Sequence, residues 1–285
     1  MLNDVAFGQY YPAQSFAHKL DPRLKLLFLI AYIVALFVAR TFYGLALCAV
    51  FIIAATFISK VPFGSVLRSV KGILFLLVFT ALLNLFMHSG EHLLVEWGII
   101  HIYLEGVLFA LFLMFRLIFL VLGSALLTLT TTPVSLTDGL ESLLKPLKYI
   151  KFPVHALALI MSIALRFIPT LMDETNRIIA AQKARGADFE SGSLVKRVKA
   201  IIPILIPLLI SAFRRAEELG DAMDARCYTN SPNRTKYKKL TFTWRDLVAA
   251  LVGGALIAGV VLFNIYAYDI FPAAYPYVAV SYTHL

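Results

Sequence analysis

Apolar and polar positions divide the chain into two kinds of territory. Five runs are almost wholly apolar: Leu24 to Val38, Thr41 to Ser59, Gly72 to Met87, Gly106 to Thr130 and Leu247 to Tyr266. A membrane-spanning helix needs about 20 such residues, fewer where flanking side chains reach the interface. Each run is therefore expected to be a span. The first begins at Leu20-Asp21-Pro22-Arg23, where Asp suits an N-cap and Pro the first helical position. Only a short turn containing Arg40 separates the first two runs, so they are expected to form a helical hairpin.

Between Thr131 and Arg245 the pattern changes. Polar and apolar positions alternate at helical spacing, and Pro133, Pro146, Pro153, Pro169, Pro203 and Pro207 interrupt the segment. Three helical pieces are expected: about Ser135 to Tyr149, about Val154 to Arg185 with a bend near Pro169, and about Leu194 to Tyr228 with a bend near Pro203 and Pro207. In the third, Leu208, Ala212, Arg215, Leu219, Ala222 and Arg226 form one amphipathic stripe. The fold class expected is an all-α polytopic membrane protein. Its parts are an interfacial lead-in over 1–23, spans over 24–130, an insert of helices over 131–245, a last span over 246–267 and an outer tail over 268–285.

Within the insert one short pattern occurs twice. Ala181-Gln182-Lys183-Ala184-Arg185-Gly186 is followed 41 residues later by Ala222-Met223-Asp224-Ala225-Arg226-Cys227. Each copy closes a helical stretch. An Arg in a last turn complements the helix dipole and a following Gly terminates the helix, so capping alone can explain one copy. It explains the second less well, because Cys stands where the first has Gly. Two copies suggest two similar docking points for two similar partners.

Composition agrees with a membrane protein. Of the 285 residues, 60% are hydrophobic and 15% charged, against about 25% charge in a soluble domain. The net charge is +9, but its placement matters more. Eighteen of the 26 Lys and Arg residues lie in 131–245, while the loop His88 to Glu105 has three acids and no Lys or Arg. With five spans, the bias of basic residues toward the cytoplasm puts the N-terminus and the insert inside and the C-terminus outside, in the cell membrane. Cys48 and Cys227 lie far apart and suggest neither a disulfide nor a metal site. No cleavable signal peptide is expected, the first apolar run starting only at Leu24.

Candidate chemistry is sparse. There is no Walker A pattern to cradle ATP phosphates, and no nucleophile–base pair stands out. His88, Glu91, His92, Glu96 and His101 match no metal-ligand spacing, so no metal site is assigned. Arg116 lies inside the fourth run. It is either a functional intramembrane group or a packing Arg held by a carbonyl or Asn84.

The lead-in with His18 and Asp21-Pro22-Arg23-Leu24-Lys25, the helical insert, and the twin Ala-Arg-Gly and Ala-Arg-Cys ends together resemble the transmembrane (T) component of energy-coupling factor (ECF) transporters. The resemblance implies a non-catalytic subunit that joins two cytoplasmic ABC ATPases to a separate membrane protein binding a vitamin or metal ion. ATP would be bound by the partners, and this chain would hold no cofactor and no nucleic acid. It further implies that two long helices of the insert cross. Their ends, Ala184-Arg185-Gly186 and Ala225-Arg226-Cys227, would each dock on one ATPase. Two other classes stay open on the residues alone. A lipid-modifying membrane enzyme would have to use Asp138, Glu141, Asp173 and Glu174, and a stand-alone secondary transporter would need inverted repeats and intramembrane polar residues.

Overall fold

The computed structural model describes residues 10–87, 92–97, 100–150, 152–187, 194–229 and 242–270. In chain order its helices are α1 (Pro22–Val38), α2 (Phe42–Ser59), α3 (Phe63–Lys71), α4 (Leu74–Met87), α5 (Leu104–Thr130), α6 (Pro133–Leu143), α7 (Val154–Ala184), α8 (Leu194–Ala225) and α9 (Trp244–Ile270). A 3₁₀ segment, Lys145–Ile150, follows α6. The expected all-α membrane fold is what the chain adopts. It divides into two compact units, one holding 151–239 and the other 8–150 with 240–285.

In the larger unit α1 packs against α2, α5, α6 and α9, while α5 also receives α2, α3 and α4. The start of α1 matches the sequence reading: Pro22 leads the helix, and the Asp21 carboxylate accepts from the Arg23 backbone N–H at 2.9 Å. It presents Pro22, Phe28 and Tyr32 to three different neighbours, and each meets a glycine. A Cβ on Gly139 of α6 would lie 3.0 Å from Pro22, one on Gly253 of α9 would lie 2.0 Å from the Phe28 ring, and one on Gly123 of α5 would lie 2.6 Å from the Tyr32 ring. Small residues let helix backbones approach closely where lipid supplies no hydrophobic drive to pack them. The core around this contact includes Tyr32, Leu36, Cys48, Phe112, Leu122 and Val260.

Both ends of α1 are tied down by polar contacts. At the start, Lys25 donates to the carbonyls of Thr130 at 2.9 Å and His18 at 3.3 Å, and the Asp246 carboxylate accepts from the Asp21 and Thr243 backbone N–H groups at 2.9 and 2.7 Å. The lead-in is held in turn by Tyr11, whose N–H donates to Leu129 at 2.9 Å, and by His18, whose ring bridges the Tyr11 carbonyl and the Ser15 hydroxyl. Burial pushes the His18 imidazole below its ordinary range. At the far end, Arg116 of α5 donates to the Ala39 carbonyl while its guanidinium lies over the Phe112 ring, 4.7 Å from the centroid. Asn264 of α9 donates to Val38 and accepts from the Arg40 N–H. Of the partners considered for Arg116, the carbonyl is the one engaged. Asn84 donates instead to Thr80 within its own helix.

The spans differ in detail from the sequence reading. Among the described residues, four helices are long and apolar enough to cross a membrane: Phe42–Ser59, Leu104–Thr130, Val154–Ala184 and Trp244–Tyr266. α1, with 17 residues, falls just short by length. The expected span Gly72 to Met87 starts two residues late, because Gly72 and Ile73 form a turn between α3 and α4. Those helices meet at 59° and supply a fifth span if taken as one. α7 is among the four because its first half is nearly free of charge, although the sequence reading assigned it to the insert.

Two further differences concern local structure. The short amphipathic helix expected to Tyr149 stops at Leu143 and gives way to the 3₁₀ segment, since Pro146 cannot donate to a continuing helix. The loop His88 to Glu105, expected without regular structure, holds an antiparallel hairpin of β1 (Leu93–Trp97) and β2 (Ile100–Tyr103), with Trp97 opposite Ile100 and Glu96 opposite His101. Apolar β-branched and aromatic residues favour such strands, a signal overlooked beside the acids. His92 of that loop pairs with Glu105 at 2.8 Å, and no metal-binding group occurs among the described residues. His88 and Glu91 lie outside them.

The glycine contacts lead to a direct test. Gly253→Leu places a side chain where the Phe28 ring lies, and overpacking of this kind costs roughly 1–3 kcal/mol or more. Gly254→Leu, one residue on and facing open space, should be tolerated. Thermal unfolding of the detergent-solubilised pair should show a clear loss for the first variant only.

Candidate functional site

The smaller unit is built on two long helices. α7 has 31 residues and α8 has 32, each about 46–48 Å long. α7 runs through Pro169 and α8 through Pro203 and Pro207. The helices pack on each other. On α8, Leu208, Ala212, Arg215 and Leu219 are half-buried, as the stripe predicts, while Ala222 and Arg226 at its end are exposed. Arg215 donates to Glu174 of α7 at 3.2 Å.

Both copies of the repeated motif end their helices in the same way. α7 stops at Ala184, and Arg185 caps it with φ −86° and ψ 5°. Gly186 then takes φ +86°. The Gly186 N–H donates to Lys183 at 3.0 Å and the Ala187 N–H reaches back to Gln182 at 3.0 Å. α8 stops at Ala225 and Cys227 takes φ +52°. Its N–H donates to Asp224 at 2.9 Å, and the Tyr228 N–H reaches back to Met223 at 3.0 Å. Each end is thus a Schellman turn, with a left-handed residue just past the cap and a backbone N–H closing a six-residue ring. The third motif position is defined by backbone conformation. Gly meets it without cost, whereas Cys adopts it against the steric preference of an L-residue.

Capping at these ends is done by the backbone. Among the described residues no hydrogen bond or ion pair engages the Arg185 or Arg226 guanidinium, and both residues are exposed, as are Ala184, Gly186, Ala225 and Cys227. The two arginines therefore stand available to an outside acceptor. A guanidinium offers a planar fork that matches a carboxylate in two hydrogen bonds. Sequence reasoning placed these six residues correctly at helix ends but missed the cross-helix pair Glu174–Arg215. The signal was present in the amphipathic stripe, since Arg215 lies on its inner side, where an unpaired charge is costly.

These features define a multi-pass helical membrane protein that presents two matched helix ends. The model of the cobalt transport protein family, CbiQ, matches residues 13–237. The chain belongs to this family. It is 48% identical over 267 residues to the energy-coupling factor transporter transmembrane protein EcfT of Clostridium kluyveri, covering 93% of this chain and 99% of that protein. It is 51% identical over 257 residues to the protein of that name from Brevibacillus brevis, covering 90% and 97%. With the one from Bacillus subtilis it shares 45% identity over 260 residues, covering 90% and 98%. The chain is thus a transmembrane component of the ECF transporter type, as its resemblance implied.

The strain at Cys227 gives a test. Replacing Cys227 by Gly relieves a left-handed L-residue and should stabilise the end of α8 by about 1 kcal/mol. A β-branched Val should weaken it. Hydrogen exchange of the Tyr228 amide, which closes the turn, should slow in Cys227→Gly and quicken in Cys227→Val.

Proposed function

We propose that this chain is the coupling subunit of an ECF-type ABC transporter for vitamin or metal-ion uptake. Two cytoplasmic ABC ATPases dock on it, one at Ala184-Arg185-Gly186 and one at Ala225-Arg226-Cys227. A separate integral membrane subunit binds the substrate and lies against the apolar halves of α7 and α8. The chain itself carries no catalytic group and no cofactor; ATP is bound and hydrolysed by the partners. The family name, cobalt transport protein, makes a metal ion one substrate class to try. The observation that carries this reading is the pair of like helix ends, each closed by its own backbone and each with an exposed Arg that no described residue engages.

Work passes through the helices as displacement. A helix about 46 Å long moves as a rigid body, so a shift of one ATPase at Arg185 or Arg226 is carried along its length toward the apolar half. The energy comes from differential binding of the ATPases in their two nucleotide states, since a partner can shift an equilibrium only by its differential affinity.

Orientation is part of the proposal. With N-terminus and insert in the cytoplasm, both ends face the ATPases. Cys227 is exposed and Cys48 buried, so the native thiol is a reporter. A membrane-impermeant maleimide added to intact cells should leave Cys227 unlabelled, and added to inside-out vesicles should label it. A thiol placed at Ala187 should behave likewise; labelling of either from outside contradicts the orientation.

Docking is tested by truncation. Removing one partner of a desolvated charge pair costs about 2–5 kcal/mol, whereas loss of a dipole contact costs about 0.3–1 kcal/mol. Arg185→Ala or Arg226→Ala should weaken ATPase pull-down and lower uptake, and the double variant should lose both. Lys at either position should rescue poorly, because it lacks the planar fork. A double Ala variant that retains both ATPases at matched membrane levels removes the docking role.

A further inference from the structure

The ion pair between α7 and α8 joins equivalent residues of the repeat. Arg215 lies 41 residues after Glu174, and the two Ala-Arg motifs are also 41 residues apart. Glu174 therefore precedes Arg185 by the same 11 residues that separate Arg215 from Arg226. Eleven residues are about three helical turns and roughly 16 Å. The Glu174–Arg215 contact is thus equally far along each helix from its Ala-Arg end.

Charge along the two helices is reciprocal at this point. α7 carries Asp173-Glu174 where α8 carries Arg214-Arg215, and Arg177 of α7 corresponds to Glu218 of α8. Glu174 and Arg215 are half-buried, with about 30% of each side chain exposed, while Asp173, Arg177, Arg214 and Glu218 are exposed. The Arg215 Nε is buried and has no acceptor of its own. Among the described residues, that guanidinium is held against α7 by its bond to Glu174. A charge desolvated to this degree strongly disfavours any sliding that would leave it alone.

We propose that the Glu174–Arg215 pair is the pin of the α7–α8 crossing and sets the spacing between the two Ala-Arg ends. Apolar contacts between helices are permissive in register, because neighbouring turns offer similar surfaces. A directional ion pair between the two helices, with Ser211 buried one turn earlier on α8, selects one register. Both residues are positioning residues and neither contacts an ATPase. Their bearing on transport rests on the docking reading, because spacing matters only if both ends are used at once. A pin at equal distance from the ends also makes their displacements equal when the helices pivot on it.

The test combines charge exchange with a distance measurement. Spin labels at Ala181→Cys and Ala222→Cys, equivalent exposed positions one turn before the arginines, are placed in the full chain in nanodiscs with Cys227→Ser. Pulsed electron–electron resonance should give one narrow distance. Glu174→Arg or Arg215→Glu alone should broaden or shift it, and the exchanged pair E174R/R215E should return it to the original position. Coupled uptake, measured with the ATPases and substrate subunit present, should fall roughly tenfold or more in each single reversal, as expected for loss of a charge-assisted bond, and recover in the exchange. Glu174→Gln should lie between. Single reversals that leave the distance unchanged, or an exchanged pair as broad as the single variants, overturn the proposal. The distance needs no ATPase, so it separates the two ideas: distances that follow the charges beside unimpaired docking of Arg185→Ala/Arg226→Ala would leave the pin standing and remove the docking reading.

Discussion

Every helix end leaves backbone groups without an intrahelical partner, and in or beside a bilayer water cannot always supply one. The structure answers this constraint in two ways. The end of α1 borrows side chains from its neighbours: Arg116 and Asn264 are spent on its last carbonyls. The ends of α7 and α8 use their own backbone in matched Schellman turns, so Arg185 and Arg226 remain unspent. An Arg consumed in capping cannot also recognise a partner. The same residue type thus serves architecture at Arg116 and is left available for recognition at the two motif ends.

The start of α1 shows how far the first solution extends. Lys25, Asp21 and Asp246 are all buried, and between them they link the lead-in, the end of α5 and the start of α9. The lead-in Asp21-Pro22-Arg23-Leu24-Lys25, which carried part of the family resemblance, therefore has a structural explanation. It holds together helix ends that lipid alone would not bring into register. Glycines at 123, 139 and 253 complete the arrangement by letting α1 approach its neighbours closely.

Much of this was legible in the sequence. The N-cap of α1, the extent of α2 and α5, the long helix pair and the location of the six motif residues all follow from local patterns, namely apolar run length, Asp-Pro, and a six-residue repeat. What was not legible depends on pairing between distant residues. Glu174 looked like one candidate acid among four, and only the packing of α7 on α8 gives it Arg215. Arg116 could not be assigned between function and packing until the end of α1 was placed beside it. The hairpin at Leu93–Tyr103 was hidden because a loop rich in acids reads as solvated, although its apolar residues favour strands. Cys227 looked like a departure from Ala-Arg-Gly. The structure shows that the shared requirement is a positive φ, which two different residues satisfy at different cost.

The central claim is that both helix ends contact ATPases at the same time. A photoreactive amino acid at Ala184 or at Ala225, each exposed beside its Arg, tests it in cells that express the whole transporter. The account predicts an ATPase adduct from each position, with the chain carrying both positions linked to two ATPases at once. Adducts only with lipid or with the substrate subunit, or an ATPase adduct from one position alone, would contradict it.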